Sequence, residues 1–289
     1  MSVASAPLRE EAAFRPATRP IILVVAARTI QAVLFLAAVF FITVPLAWLV
    51  LLAFAGNFNF PSLVPTSFTV QWWHTVLSSP GLLHSVVLSV TITPVVVALS
   101  AVLCLPAAYA LGRFNFLGKR VVLLSIFSIN AFPRISLYIA MIPMLFALNL
   151  MGTVVGVVIV QLIGTILFMT WIPATGFAAI PDALVDAAHD AGASKFQVFW
   201  RVMLPLARPS IAVAAVLSFL AAFDEAQGTF LVGAPNYLTM PVRMYSLVLD
   251  YPVQFAAVFA VVLSIPSVVL MLLVRKHLFA GTGSAMQLR

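Results

Sequence analysis

Six long apolar runs, separated by short connections, constrain this chain more than any other feature of its sequence. They cover residues about 29–55, 83–111, 121–148, 152–178, 206–230 and 252–274. A helix of about 20 apolar residues crosses the hydrocarbon core of a membrane, and a helix satisfies its own backbone hydrogen bonds in lipid. The sequence therefore predicts an all-α integral membrane protein with six transmembrane helices.

Composition excludes several other classes of protein. Hydrophobic residues make up 63% of the 289 residues and charged residues only 8%, which excludes a soluble domain. The net charge of +7 is spread over the connections rather than gathered on one soluble face, so nucleic acid is not a predicted partner. The single cysteine, Cys104, lies in an apolar run, and His74 and His84 are isolated. We therefore expect neither a disulfide nor a metal site.

The basic residues indicate how the chain is oriented. Of the 15, all except Arg134 and Arg243 lie before the first run, between the second and third, between the fourth and fifth, or after the last. These segments share one face of a six-span protein, which the positive-inside rule makes cytoplasmic. We expect both termini to be cytoplasmic, with a flexible tail over residues 1–28, a membrane domain over 29–275 and a C-terminal tail over 276–289.

A polar island at residues 180–209, between the fourth and fifth runs, predicts a helix, a turn and a second helix. Pro181 suits the first helical position, and Asp182 and Asp186 suit the positive end of the helix dipole. Gly192 can take the left-handed conformation that ends a helix. The island is too short and too polar to cross a membrane, so we expect it to lie beneath one.

The second helix of the island has its own start and stop signals. Ser194, followed three residues later by Gln197, is a capping-box pattern, and Pro205 is expected to end the unit. The two helices are expected to offer apolar contacts to a soluble partner. These contacts would come from Val185, Ala188, Phe196, Phe199 and Met203.

This island resembles the EAA loop of the membrane subunits of type I binding-protein-dependent ABC importers. In that family an acidic residue and two alanines are followed, after three residues, by a glycine. After nine more residues come an aliphatic residue, any residue, Leu and Pro. Every element falls at that spacing here, at Asp186, Ala187, Ala188, Gly192, Val202, Leu204 and Pro205. The one departure is Asp186, where the family usually has Glu.

The resemblance implies a function and its partners. The loop would be the coupling helix that fits a cleft on a separate ATP-binding subunit, present in two copies, which hydrolyses the ATP. The chain has no G-x-x-x-x-G-K-[ST] phosphate loop, which agrees, and we expect no cofactor on it. The other implied partners are a second, non-identical permease subunit and an extracytoplasmic solute-binding protein. The implied location is the cytoplasmic (inner) membrane of a bacterium.

The similarity extends over residues about 80–280 but leaves the solute open. LGRFNFLGKR (111–120) and FPRISLYIAMIPM (132–144) resemble the basic turn and the proline-interrupted third span of sugar-type and polyamine-type permeases. SFLAAFDEAQGTFLVG (218–233) is closer to the polyamine type, whereas HLFAGTGSAMQLR (277–289) is closer to the sugar type. Both solute classes therefore remain open.

Three charged residues, Arg134, Asp224 and Glu225, lie inside the apolar runs. Each costs about 2.5–3.5 kcal/mol to insert at mid-span, so they should face protein or water rather than lipid. They form a structural ion pair, lie at the outer interface, or line the translocation pathway. We expect Arg134 to lie within salt-bridge or water-bridged reach of one acid in at least one conformational state. The two acids, about 100° apart on a helix, should point in different directions.

Two other function classes are open to the same residues. An ion-gradient-driven secondary transporter would use coupling carboxylates near the midplane of the membrane. Asp224 and Glu225 permit this, but the EAA-like spacing argues against it. A membrane-embedded enzyme has less support, because the chain has no HExxH motif and no clustered set of His and Asp.

Overall fold

The structure is a computed structural model that describes residues 21–286, apart from 59–61 and 63. Its regular secondary structure in these residues is helical throughout, with one isolated bridge between Ala55 and Phe68. The predicted all-α class is therefore confirmed for the described part of the chain. Most of the predicted N-terminal tail, and the last three residues of the C-terminal tail, lie outside it.

Twelve α-helices and one π-helical turn make up the described part of the chain. In order they are α1 Ile21–Ala53, α2 Gln71–Leu77, α3 Pro80–Arg113, α4 Lys119–Ala131, α5 Arg134–Ala147, α6 Val154–Ala178, α7 Asp182–Asp190, α8 Lys195–Val198, the π-helical turn Phe199–Met203, α9 Leu204–Phe223, α10 Gln227–Gly233, α11 Met240–Asp250 and α12 Val253–Met286.

Five helices in the described residues are long and apolar enough to cross a membrane. They are α1, α3, α6, the continuous helix that ends with α9, and α12. The predicted third run, 121–148, is not one helix but two, α4 and α5. Pro133 has no N–H to donate and holds Phe132 in an extended conformation (φ −83°, ψ 147°), so the helix stops there. Six continuous helices are thus not confirmed.

The predicted fifth run, 206–230, is also interrupted. Helix α9 ends at Phe223, and a short turn at residues 224–226 leads into the seven-residue helix α10. The turn contains both acids of this region, Asp224 and Glu225. Polar residues of this apolar run therefore coincide with irregular backbone, which is tolerated at membrane depth only where protein or water satisfies it.

The chain divides into two compact units, residues 1–48 and 49–289. In the first unit, the apolar side chains of α1 are mostly exposed, including Phe35, Phe40 and Phe41. This is the surface expected of a helix whose surroundings are lipid or another chain. All contacts described below lie within the second unit.

Helices α3, α6 and α9 pack together at the centre of the second unit. The buried face of α3 carries small polar side chains among its apolar ones, including Ser89 and Ser100. The hydroxyl of Thr165 on α6 donates to Ser100 Oγ at 2.8 Å, and the N–H of Met240 donates to Ser89 Oγ at 2.8 Å. Small residues let helices approach closely in a membrane. Close packing matters there because lipid tails are apolar, so the hydrophobic effect does little to hold helices together.

Candidate functional site

The polar island folds as the predicted helix, turn and helix, with one change at its start. Pro181 is not the first helical residue but the residue before it, with an extended ψ of 134°, and α7 begins at Asp182. The extended residue turns the chain from the end of α6 into α7. The carbonyl of Ile180, just before this turn, accepts a hydrogen bond from Arg113 Nη1 at 2.9 Å.

The predicted turn chemistry at the centre of the island is confirmed. Gly192 has φ +83°, the left-handed conformation that favours glycine, and its N–H donates to the His189 carbonyl at 2.8 Å. The hydroxyl of Ser194 accepts from the N–H of Gln197 at 3.3 Å, and Gln197 Oε1 accepts from the N–H of Ser194 at 2.9 Å. This reciprocal pair is a complete capping box.

The prediction that Pro205 ends the island is wrong. The backbone runs on as a helix from Lys195 through the π-helical turn and α9 to Phe223. Proline is tolerated in the first turn of a helix, and the wider π turn before it, in which the Leu204 N–H donates to the Phe199 carbonyl, accommodates the missing donor. The second half of the island is therefore the N-terminal part of the long apolar helix that ends at Phe223.

The apolar residues of the island divide between an inner and an outer face. Val198 and Met203 are buried against Phe177 and Ala207, with Val185, Ala188 and Phe199 partly buried beside them. Of the five residues expected to contact a soluble partner, Phe196 alone is exposed, at 71%. A helical face that is buried against its own protein cannot also contact a partner. The inner face of the island packs against α6 and α9, so only the outer face is free for a partner.

The outer face carries apolar and acidic side chains together. We name it the coupling surface and define it by its exposed residues Leu184, Asp186, Ala187, Phe196 and Trp200. The rings of Phe196 and Trp200 lie 5.9 Å apart between centroids. Exposed aromatic side chains are enriched at protein-binding surfaces. Val202, Leu204 and Pro205 of the family motif are only partly exposed and belong to the attachment.

Arg113, at the end of α3, is the residue of this site that the sequence reasoning missed. Besides the Ile180 carbonyl it contacts the Asp182 carboxylate through Nη2, which is the ion pair found among the described residues. The Arg113 side chain is 14% exposed and that of Asp182 is 82% exposed. The sequence signal available for this pair was a basic residue at the end of one apolar run and an acidic residue at the start of the island.

Aromatic packing reinforces this connection between α3 and the island. The ring of Tyr109, one turn before Arg113, meets Phe177 of α6 at 5.4 Å and Phe199 of the π-helical turn at 5.0 Å, both edge to face. Such pairs contribute roughly 0.5–1.5 kcal/mol each beyond their buried area. The ends of α3 and α6 and the island therefore form one attached body.

A second polar feature lies at the turn after α9. Glu225 is buried, at 5% exposure, and its carboxylate accepts from the N–H groups of Gly228 and Thr229, both at 2.8 Å, and from the Thr229 hydroxyl at 2.6 Å. These N–H groups open α10 and have no partner inside the helix. Gln161 Nε2 on α6 donates to Thr229 Oγ1 at 3.2 Å, which joins the turn to α6.

Helix α5 contributes to the same polar feature through Tyr138. Its side chain is only 1% exposed. A Cβ at Gly228 would lie 2.8 Å from Cγ of the Tyr138 ring, so α10 and α5 are in close contact there. We name Tyr138, Gln161, Glu225 and Thr229 the polar cluster.

The three charged candidates occupy different environments. Asp224 and Arg134 are exposed, whereas Glu225 is buried, so the two neighbouring acids do point in different directions. Arg134 forms no ion pair with either acid in this conformation, and the Glu225 carboxylate is hydrogen-bonded to α10. Its guanidinium lies beside α6, with Nη1 3.7 Å from where a Cβ of Gly164 would be. Whether any of them contacts a transported solute stays a prediction.

Comparison with known families gives one match that covers most of the chain. A model described as the binding-protein-dependent transport system inner membrane component matches residues 104–282. The chain is 26% identical over 249 residues to the trehalose/maltose transport system permease protein MalG of Thermococcus litoralis, covering 82% of this chain and 88% of that protein. It is 25% identical over 181 residues to the spermidine/putrescine transport system permease protein PotC of Escherichia coli K12, covering 63% and 69%.

Solved structures show a similar fold. A chain of a bacterial ABC transporter involved in the import of alginate, an acidic polysaccharide, superposes with a TM-score of 0.66 at 19% identity, covering 91% of this chain and 99% of that one. A chain of the inward-facing MetNI methionine ABC transporter gives 0.57 at 21% identity, covering 70% and 98%. At these identities the likeness concerns the fold alone.

The contacts of Arg113 predict unequal effects for its two partners. Arg113→Gln should lower the free energy of unfolding by about 2 kcal/mol, because it removes a charged donor from a largely buried carbonyl. Asp182→Asn should cost less than about 1 kcal/mol, because that carboxylate is mostly exposed to solvent. Denaturation of the detergent-solubilised protein measures both. Equal losses would show that the exposed ion pair, not the bond to Ile180, holds the island.

The polar cluster predicts that Glu225 is a structural residue and that its neighbour is not. Glu225→Ala should lower the free energy of unfolding by about 3 kcal/mol or more, since it leaves three buried donors without an acceptor. Asp224→Ala is the matched control and should change it by less than about 0.5 kcal/mol, because the residue is exposed. The same denaturation experiment compares them, and similar values for the two variants would contradict the assignment.

Proposed function

Because this chain belongs to the family of binding-protein-dependent transport system inner membrane components, we propose that it is the permease subunit of an ABC importer in a bacterial cytoplasmic membrane. The observation that carries the proposal is the family match over residues 104–282, which includes the whole coupling surface. The relatives named for trehalose, maltose, spermidine and putrescine make a sugar or a polyamine the proposed solute. The chain forms the route across the membrane and a partner supplies the energy.

The coupling surface is the proposed docking site for the ATP-binding subunits, one on each of two permease chains. Asp186 would act as its polar anchor, while Phe196 and Trp200 would enter an apolar cleft of the partner. Since ATP binding and hydrolysis move that partner, the island moves with it. The nucleotide itself is bound and hydrolysed elsewhere, in keeping with the absence of a phosphate-loop motif from this sequence.

Two connections would carry this movement into the membrane. The first is Arg113, which holds the start of α7 to the end of α3. The second is the continuous helix from Lys195 to Phe223, which contains the second half of the island and the fifth span in one piece. A rigid helix transmits rotation along its length, so a displacement at the coupling surface reaches the turn at Asp224, on the far side of the membrane.

The chain is proposed to cross the membrane six times, with both termini and the coupling surface in the cytoplasm. Helices α4 and α5 contain 13 and 14 residues, and each is about 20 Å long, too short for a hydrocarbon core of about 30 Å. Together, with the break at Pro133, they are long enough to make one interrupted crossing. This restores the even number of spans that the distribution of basic residues requires.

Arg134, Asp224 and Glu225 are proposed to belong to the translocation pathway. Arg134 opens α5 just after a break in the helix, and Asp224 lies in the turn that ends α9, so both are exposed beside irregular backbone. Such backbone at membrane depth typically lines a water-filled cavity. Glu225 would contribute indirectly, because its hydrogen bonds to α10 fix the turn in which Asp224 is exposed.

The proposed assembly contains a second, non-identical permease subunit and an extracytoplasmic solute-binding protein. An alginate transporter of similar fold has been solved in complex with a periplasmic protein bound to an alginate pentasaccharide, which supports a binding protein here. An ion-gradient-driven transporter would need no ATPase partner, and membership of this family favours the ATP-driven mechanism. Screening sugars and polyamines against the cognate binding protein identifies the solute.

Docking of the ATP-binding subunit at the coupling surface predicts loss of the complex on substitution there. Asp186→Lys and Phe196→Ala should each weaken association by tenfold or more, about 1.4 kcal/mol, because both remove exposed contacts. Gly192→Val should do the same by straining a left-handed turn. Co-purification of the ATPase with the tagged permease measures this, and Asp250→Lys, exposed at the end of α11, is the control. Unchanged co-purification and transport would contradict the docking site.

The topology predicts labelling from opposite sides of the membrane. Ser78 and Ser194 are both exposed, the first after α2 and the second at the start of α8. In a Cys104→Ala background, Ser78→Cys should react with an impermeant maleimide in intact spheroplasts, whereas Ser194→Cys should react only after the membrane is opened. Reaction of both from outside would overturn the six-span topology.

A further inference from the structure

An apolar groove of about 530 Å³ opens between α3, α4 and α6. Its walls are aliphatic and aromatic side chains, such as Leu103, Ala107, Val122, Ile126 and Ile163. Leu103 is 64% exposed and Val122 is 42% exposed, so the groove is open at the surface of the second unit. It is separate from both the coupling surface and the polar cluster.

The length and position of the groove match one leaflet of a membrane. On α3 its lining runs from Ser100 to Leu111, which is about 16 Å of helix rise and about half of a 30 Å hydrocarbon core. Its end at Phe116 lies in the connection between α3 and α4. This is the side of the coupling surface, because Arg113 there binds the start of α7.

Basic side chains stand at this end of the groove. Lys119 precedes Val122 and Ile126 by three and seven residues, so all three share one face of α4. Its Nζ donates to the neutral carbonyl of Phe114 at 3.1 Å, and the neighbouring Arg120 is exposed.

Among the residues that the structure describes, no carboxylate forms an ion pair with Lys119 or Arg120. The sequence contains no Asp or Glu between Glu11 and Asp182. Asp182, the first acid after α3, α4, α5 and α6, is engaged by Arg113. Lys119 and Arg120 therefore present uncompensated positive charge at the end of an apolar groove, at the level where a membrane presents phosphate groups.

We propose that this groove binds one acyl chain of an anionic phospholipid from the leaflet on the side of the coupling surface, with the phosphate on Lys119 and Arg120. Basic sites between helices on the cytoplasmic side recognise such headgroups.

The lipid would separate α4 from α3 close to the connection that carries Arg113. The site does not depend on which solute is carried or on which partner docks, because it requires only that these helices lie in a membrane. Its test can therefore fail while the proposed function stands, and the reverse is also true.

The experiment is photo-crosslinking in lipid nanodiscs, using the full transporter assembly purified through this chain. The probe is phosphatidylglycerol with a diazirine in its acyl chain, compared with the phosphatidylcholine that carries the same chain. Adducts are mapped by peptide mass spectrometry. We expect phosphatidylglycerol adducts on α3 and α4 residues of the groove, at least about tenfold above those of phosphatidylcholine, from two cations near the membrane surface.

Two kinds of variant separate the headgroup from the chain. The double variant Lys119→Gln, Arg120→Gln should remove most of the preference for phosphatidylglycerol, and both positions lie near the surface where folding tolerates the change. Ala107→Phe should fill the groove and remove adducts of both lipids. Val102→Phe adds a ring on the same helix at a position 71% exposed and outside the groove, and should leave the adducts unchanged.

The other outcomes each overturn the proposal. Equal labelling by the two lipids, or a preference that survives the double variant, would show that no anionic headgroup is recognised. Absence of adducts from the groove in the assembled transporter would show that another chain covers it. Equal effects of Ala107→Phe and Val102→Phe would show that the groove itself holds no acyl chain.

Discussion

The contacts of the Arg113 guanidinium attach the polar island to α3, and the position of the coupling surface depends on them. The guanidinium binds the carbonyl of Ile180 and the carboxylate of Asp182, so the end of α3 and the start of the polar island cannot separate without leaving a mostly buried cation unpaired. The edge-to-face contacts of Tyr109 with Phe177 and Phe199 join α3, α6 and the island. An amphipathic helix of nine residues would not be stable alone in water, and this attachment is what holds it in place.

A second constraint is the need of every backbone group at membrane depth for a hydrogen bond. Where α9 ends, the first N–H groups of α10 would be unpaired, and the buried carboxylate of Glu225 accepts them. A charge that would be costly in lipid thus becomes the group that permits a break in the helix. The break in turn places Asp224 in an exposed position. Structure and transport are linked here, because the residue that fixes the turn is the neighbour of the one proposed to meet the solute.

The functional surfaces all lie where the chain departs from a simple membrane helix. The coupling surface lies on both sides of the left-handed turn at Gly192, and the proposed pathway residues follow the breaks at Pro133 and Phe223. The apolar groove proposed to bind lipid opens beside the connection from α3 to α4. The long helices between these points are comparatively uniform, and they act as rigid elements that join one irregular site to the next. The unbroken helix from Lys195 to Phe223 is the clearest example, since it joins the coupling surface to the Asp224 turn.

The sequence by itself determined the all-helical membrane class, the position of the island, its glycine turn and its capping box, and the family. These depend on local signals: apolar length, a left-handed glycine, and a serine three residues before a glutamine. Tertiary structure decided which face of the island turns inward, that Pro205 continues a helix, that Arg113 rather than an island residue makes the attachment, and that Glu225 is buried while Asp224 is exposed. Periodicity places side chains on a helix but does not say which neighbour each side will meet, because that depends on residues distant in the chain.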